Sequence, residues 1–274
     1  MKIRDLLKEG FRERDMSLLK TSFDIVGDIA IIEIPEELEK KEREIAKALK
    51  KVHKHVKTVC RKMSKREGKY RLRKFKIILG KKTETIHKEH ECRFQLDVSE
   101  VYFSPRESQE RLTIAEKTKS GEIVMVMFAG IGPYPIIMAK KNKSLKKIYA
   151  IEINSKAFGY MKENIRINKV GDKVIPILGN VNEKCPEYFG KCDRIVMPLP
   201  KGAYEFLSLA VQCLKKKGWI HFYYWATEDG FKEAEDMVKN TVKTMGRKVR
   251  KIETRKVLPY KPKVWKICMD IEIG

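Results

Sequence analysis

Ile123-Val124-Met125-Val126-Met127-Phe128-Ala129-Gly130-Ile131-Gly132-Pro133-Tyr134-Pro135 is the stretch that decides the fold. The apolar run Ile123–Phe128 has the length and composition of a buried strand. Two glycines break it, and Pro135–Lys141 resumes as a helix. Glycine lets the backbone turn tightly and approach a ligand, and the helix behind it offers unpaired N–H groups. The next strand, Lys147–Glu152, ends on an acid 22 residues after Gly130. An acid at that point can accept from both hydroxyls of a ribose.

Strand and helix keep alternating downstream. Lys156–Asn168 reads as a helix, and Val174–Leu178 and Arg194–Met197 as strands. Tyr204–Lys215 is a helix, Trp219–Tyr224 a strand and Phe231–Met245 a helix. Lys248–Val257 and Val264–Ile273 close the chain as strands. This alternation predicts an α/β fold with a doubly wound parallel sheet. The last two strands share only a short link through Pro259 and Pro262, so they must be antiparallel.

Upstream, Phe23–Ile34 reads as two short strands around a Gly27-Asp28 turn, and Pro35-Glu36-Glu37 opens a helix. Phe75–Leu79, Thr85–His87 and Arg93–Val98 read as further strands. The division expected is a small basic α+β domain over 1–98, an interdomain segment over 99–119, and a cofactor-binding domain over 120–274.

The chain of 274 residues carries 60 Lys+Arg against 37 Asp+Glu, a net charge of +23. Such an imbalance speaks about partners, and nucleic acid is the polyanion it fits best. A Lys-rich surface of the heat-adapted kind would balance Lys with Glu. Between Lys47 and Lys82 there are 16 Lys/Arg and one acid, Glu67. A solvated helix face would place acids four residues from its bases, and these are missing, so a phosphate-tracking surface is expected. No apolar run approaches the length of a membrane span, and the N-terminus has no apolar signal core. Cys60, Cys92, Cys185, Cys192, Cys213 and Cys268 form no CxxC pair. The expectation is a cytoplasmic monomer with reduced, mostly buried thiols, no bound metal and no membrane anchor.

Tyr134-Pro135 stand where a dinucleotide fingerprint has its third glycine. A pyrophosphate fits poorly there. The loop suits a nucleoside with an amino-acid tail, which makes S-adenosyl-L-methionine the expected cofactor.

The concatenated blocks FAGIGPYPI, AIEIN, VIPILGN, IVMPLPKGAYEFL and GWIHFYY resemble the archaeal/eukaryotic tRNA (guanine37-N1)-methyltransferases, from about residue 20 to the end. A sister family on the same scaffold moves the aminocarboxypropyl group of the same cofactor in wybutosine synthesis. The resemblance implies a class I (Rossmann-like) methyltransferase sheet, an archaeal source, and a tRNA anticodon stem-loop as partner. It places Phe128, Ala129, Gly130, Gly132, Pro133, Glu152, Ile153, Asn180, Val181 and Met197 at the cofactor. It also implies roles around Val101-Tyr102-Phe103-Ser104-Pro105-Arg106 and Ser108-Gln109-Glu110-Arg111. Glu110 falls on the family's general base, Tyr102 on an active-site aromatic, and Arg73 on an arginine facing the guanine, with Arg71 as the neighbouring alternative. Pro198 and Pro200 fall on the loop that shapes the base pocket, and Tyr102 or Phe103 is available to stack a flipped-out base. On residue type alone, Glu110 reads first as a surface helix partner of Arg111 or Arg106.

Three positions depart from the family pattern: Val126 and Asn180 replace Asp, and Pro198 replaces Asn. A proline brings neither a backbone donor nor a side-chain amide. These changes suit an altered acceptor, such as a tricyclic guanosine derivative at the same tRNA position. Aminocarboxypropyl transfer and a non-catalytic tRNA-binding paralogue are the alternatives; Gly132-Pro133 and Arg106 count against the former. The family's N1-methyltransferases often carry an extra small N-terminal domain, for which these residues leave no room. Binding would then fall to phosphate contacts of the basic tract and of Arg247, Lys248, Arg250 and Lys251.

Overall fold

The computed structural model describes residues 2–64 and 72–274, which fold as two units, Met1–Pro105 and Arg106–Gly274. Arg71, the alternative to Arg73, lies outside the described residues, as does Glu67.

The first unit opens with two short helices, α1 (Ile3–Leu7) and α2 (Glu13–Leu18). The hairpin β1 (Phe23–Val26) and β2 (Ile29–Ile32) turns at Gly27-Asp28. A 3-10 turn, Glu36–Lys41, runs into α3 (Glu42–Val52), and β3 (Thr58–Lys62) and β4 (Phe75–Leu79) complete a four-stranded sheet in the order β1-β2-β3-β4. Strands β2 and β3 are parallel, with α3 as their crossover. Helix α3 buries Ile45, Ala46, Ala48 and Leu49, an i, i+3, i+4 stripe, into a core that includes Ile32, Leu38, Val56 and Val59. A separate hairpin follows, β5 (Glu84–Glu89) with β6 (Cys92–Asp97). Gly27, at φ +56°, meets this hairpin closely, since a Cβ there would lie 2.2 Å from Thr85 Oγ1.

Strand β3 was not foreseen. It lies inside the basic tract, and Val56, Thr58, Val59 and Cys60 are buried. The acids missing at helix spacing arrive through tertiary structure instead. Arg61 is buried against Glu39 and Glu42, Lys76 pairs with Glu42, Lys62 with Asp24 and Lys57 with Asp28. This part of the tract is therefore structural as well as basic.

The second unit begins with α4 (Ser108–Glu116), then alternates through β7 (Ile123–Met127), α5 (Pro133–Lys141), β8 (Lys147–Glu152), α6 (Ser155–Ile167) and β9 (Val174–Leu178). After α7 (Val181–Lys184) come β10 (Cys192–Met197), α8 (Leu207–Cys213), β11 (Leu214–Thr227), α9 (Phe231–Thr244), β12 (Val249–Lys261) and β13 (Val264–Ile273). The seven strands are ordered β12-β13-β11-β10-β7-β8-β9. Only β13 runs against its neighbours, as the short link between the last two strands requires. Strand order reverses between β7 and β10, and ligands bind in the crevice at such a switch point. The helix expected over Tyr204–Lys215 ends earlier, at Cys213, because Leu214 is already extended and starts β11.

Charged side chains sit inside this apolar sheet. Arg194 makes two bonds to Glu122, at 2.8 and 2.9 Å, and donates to His221 Nε2 at 2.6 Å. His221 Nδ1 donates to Asp270 at 2.5 Å. Lys117 and Arg255 also bond Asp270, at 2.5 and 3.1 Å. Burial alone would raise the Asp270 carboxyl, but His221, Lys117 and Arg255 outweigh it and hold it well below the usual carboxylate range. His221 is lowered, chiefly by burial, against the opposing bond to Asp270. His221, Cys268 and Asp270 cluster within 4.8 Å, the one trio with metal-ligand spacing among the described residues. The three cations beside it take up the acceptor sites a metal would need.

Both shifts have the same sign for stability. The folded state keeps Asp270 ionised and His221 neutral, so unfolding takes up protons below about pH 6.5 for His and about 3.9 for Asp. Melting temperature should therefore fall as pH drops from 7 to 4. Asp270→Asn should lower stability at pH 7 by about 1–3 kcal/mol, because it removes the buried anion that Lys117, Arg255 and His221 bond, and should flatten the fall below about pH 4. Scanning calorimetry across pH measures both; equal wild-type stability at pH 4 and 7 would contradict the assignment.

Candidate functional site

The glycine turn leaves β7 through three positive-φ residues: Phe128 at +61°, Gly130 at +59° and Gly132 at +86°. Gly132 caps α5, which starts at Pro133 rather than at Pro135, because proline at the first helical position needs no hydrogen bond. The Ala129 N–H bonds Ile151 O at 2.8 Å, and the Asn164 side chain on α6 holds Ile131 O at 3.0 Å. A Cβ at Gly132 would lie 2.9 Å from Met161 Cγ, whereas a Cβ at Gly130 would meet nothing within 4 Å. Gly132 thus serves packing, and Gly130 borders open space where a ligand can approach.

Glu152 ends β8 beside that space. Its carboxylate accepts from the backbone N–H of Gly130 and of Asn154, both at 2.7 Å. Burial raises its pKa, partly offset by these bonds. A carboxylate has about four acceptor sites, so it retains capacity for ribose hydroxyls. The next residue, Ile153, is half-buried. Asn154 was not singled out in the sequence; its side chain caps α6, a role its place before a helical run signals. Gly179 N–H bonds Glu152 O at 2.9 Å and brings Asn180 to the same edge. Asn180 caps α7 through Asn182 N–H, and Val181 is buried below it. Met197, also buried, closes β10; Pro198 follows half-buried, Leu199 N–H turns back to Met197 O at 2.8 Å, and Pro200 is buried. An acid, an open glycine and an amide at one sheet edge fit a nucleoside with an amino-acid tail.

Glu110 lies on α4 and is 6 % exposed, so it is no surface partner of Arg106 or Arg111. Arg255 on β12 grips both carboxylate oxygens, and its NH2 group sits 2.5 Å from Oε1. Tyr223 on β11 donates to the same carboxylate and accepts from Tyr134 Oη at 3.2 Å. Burial holds both phenols well above their ordinary pKa, so they act as donors at neutral pH. Tyr134 lies in the first turn of α5, so Glu110 is tied to the helix behind the glycine turn. Arg255, Tyr223 and Asp270 escaped the sequence reading. For Tyr223 and Asp270 the signal was a polar group inside a largely apolar strand; Arg255 sits on the edge strand among other charges, and all three have partners too far along the chain to be named from it.

Arg73 and Tyr102 belong to the first unit and line a cavity of about 30 Å³ with Asp24 and Phe75. Phe103 is already packed against His87, with ring centres 5.0 Å apart. Arg247 is committed to the carbonyls of Val211, Leu214, Lys215 and Lys216, and Lys251 pairs with Glu253. These two bases are therefore already engaged within the fold. The six cysteines are buried and none is in a disulfide. No helix among the described residues is long and apolar enough to cross a membrane.

A 3-2-1-4-5-7-6 sheet with a glycine turn after its first strand and an acid after its second defines a class I methyltransferase fold. The family model described as the TRM5/TYW2 methyltransferase domain matches residues 85–254, and the TYW2 N-terminal domain matches residues 3–83. The chain belongs to the TRM5/TYW2 family. It is 44 % identical over 258 residues to the tRNA (guanine(37)-N(1))-methyltransferase Trm5b of Pyrococcus abyssi, covering 93 % of this chain and 76 % of that protein. A solved complex of aTrm5 and tRNALeu superposes with a TM-score of 0.88 at 35 % identity, covering 100 % of this chain and 78 % of that one. The structure of M. jannaschii TYW2 in complex with AdoMet gives 0.74 at 31 % identity, covering 92 % and 99 %.

The two glycines should respond differently to alanine. Gly130→Ala meets no neighbour and should cost about 1–2 kcal/mol, from its backbone conformation alone. Gly132→Ala adds a clash with Met161 and should cost about 2–4 kcal/mol. Urea unfolding of both variants measures the order, and a smaller loss for Gly132→Ala would contradict the packing role.

Proposed function

We propose that this chain is an S-adenosyl-L-methionine-dependent tRNA methyltransferase acting on guanosine 37, at N1 of guanine or on a tricyclic derivative of it. The observation that carries this reading is Glu110, a buried carboxylate tied through Tyr223 and Tyr134 to the helix behind the glycine turn. Likeness to Trm5b over nearly the whole chain supports the same reading.

The cofactor, when bound, supplies an electrophilic methyl group. Glu152 holds the ribose, and Gly130 and Asn180 border the nucleoside. Guanine N1 carries a proton and is a poor nucleophile until it is removed. Glu110 accepts that proton, a role that typically contributes ~10²–10⁴ in rate. Its acceptor count permits this: Arg255 occupies two sites and Tyr223 one, out of about four. Negative charge grows on O6, and the resemblance gives Arg73 the task of stabilising it. Pro198 and Pro200 shape the base pocket without offering an amide, which leaves room for a purine with an altered edge.

The match of residues 3–83 to the TYW2 N-terminal domain favours a second reading, transfer of the aminocarboxypropyl group. Unmodified tRNA and tRNA bearing the tricyclic base, each incubated with cofactor labelled in the methyl or the carboxyl group, separate the two. Methyl label on RNA is the expected result; carboxyl label supports the second reading, and RNA binding with neither label indicates a non-catalytic binder.

Glu110→Gln should cut transfer at least 100-fold while cofactor affinity stays within about twofold. Unchanged turnover would remove Glu110 from the chemistry.

A further inference from the structure

The last hairpin reaches past the rest of the sheet. Met197, the end of β10, pairs with Phe222, yet β11 continues five residues further to Thr227, still paired with β13. At about 3.3 Å per residue this is an overhang of roughly 17 Å beyond the edge that carries the glycine turn and Glu152. The tip is Lys261-Pro262-Lys263-Val264, where β12 turns into β13.

An aromatic pair sits on this overhang. Tyr260 is 61 % exposed, and its ring lies 4.1 Å from that of half-buried Trp225 at an interplanar angle of 35°. Tyr260 is aimed there by a β-bulge between Pro259 and Lys261, a device that turns one side chain away from regular alternation. Trp225 is two residues from Tyr223 and shares its face of the strand. Tyr223 donates to Glu110. The aromatic pair therefore lies about 7 Å along the strand from the residue that holds the candidate base.

The charges around the tip are positive. Lys261 and Lys263 are exposed, with no ion pair among the described residues. Glu228, the nearest acid on β11's continuation, is neutralised by Lys256. An exposed ring backed by a second ring, beside free ammonium groups, has the chemistry that recognises an unpaired nucleotide: a face to stack on and cations for its phosphate.

We propose that Tyr260 and Trp225 form a stacking platform for an unpaired RNA nucleotide next to the one that reacts, with Lys261 and Lys263 on the adjoining phosphates. This rests on the tRNA-methyltransferase reading and extends it to a particular surface.

Binding of a fluorescein-labelled anticodon stem-loop by the full chain, read by anisotropy, tests the platform. Tyr260→Ala should weaken binding about tenfold or more, and Tyr260→Phe, which keeps the ring, should stay within about twofold. Replacing Lys261 and Lys263 by Gln should lower the slope of log affinity against log salt by about 1.4. S-adenosylhomocysteine affinity, measured by calorimetry, should be unchanged in each variant, which also reports an intact fold. Tyr260→Ala bound within twofold of wild type, with wild-type binding and transfer intact, overturns the platform alone. Wild-type protein that neither binds the stem-loop nor transfers label overturns the parent reading and the platform with it.

Discussion

Asp270 holds Arg255, and Arg255 holds Glu110. One buried anion on the last strand thus fixes the carboxylate proposed as the base. Charges removed from water are tolerated only when paired and hydrogen-bonded. Here Asp270 is bonded by Lys117, His221, Arg255 and Cys268, and the chain of contacts continues through His221 and Arg194 to Glu122. The network crosses strands β10 to β13 and ties them to α4. Its arrangement makes the position of Glu110 a property of the whole sheet rather than of its own helix.

The sheet was legible because its pattern is periodic. Lys147–Glu152, Val174–Leu178 and Val264–Ile273 have the bounds expected from apolar runs and their punctuation. The glycine turn was legible because glycine adopts the positive-φ backbone at positions 130 and 132 without strain. What escaped was long-range partnership. Glu110 meets Arg255 145 residues away, and nothing local to either announces the pair. The pairing of two of the tract's bases was hidden for the same reason: Glu39 and Glu42 come from the preceding turn and helix and fold back onto Arg61 and Lys76 of β3 and β4. Arg247 read as a phosphate contact, but it is committed to four backbone carbonyls.

The three departures from the family pattern each find a local reason. Val126 is fully buried between Val196 and Ala150, where an apolar side chain completes the core. Asn180 caps a helix, a task asparagine and aspartate perform about equally well. Pro198 starts the turn in which Leu199 bonds back to Met197. None of the three disturbs the glycine turn or Glu152.

The central claim is that the Glu110 carboxylate meets N1 of the purine that receives the group. A crystal structure with S-adenosylhomocysteine and an anticodon stem-loop measures this directly. The account predicts a Glu110 oxygen within about 2.6–3.2 Å of N1, with Arg255 still gripping the carboxylate. A purine seated in the pocket with Glu110 out of reach and another group at N1 would contradict it.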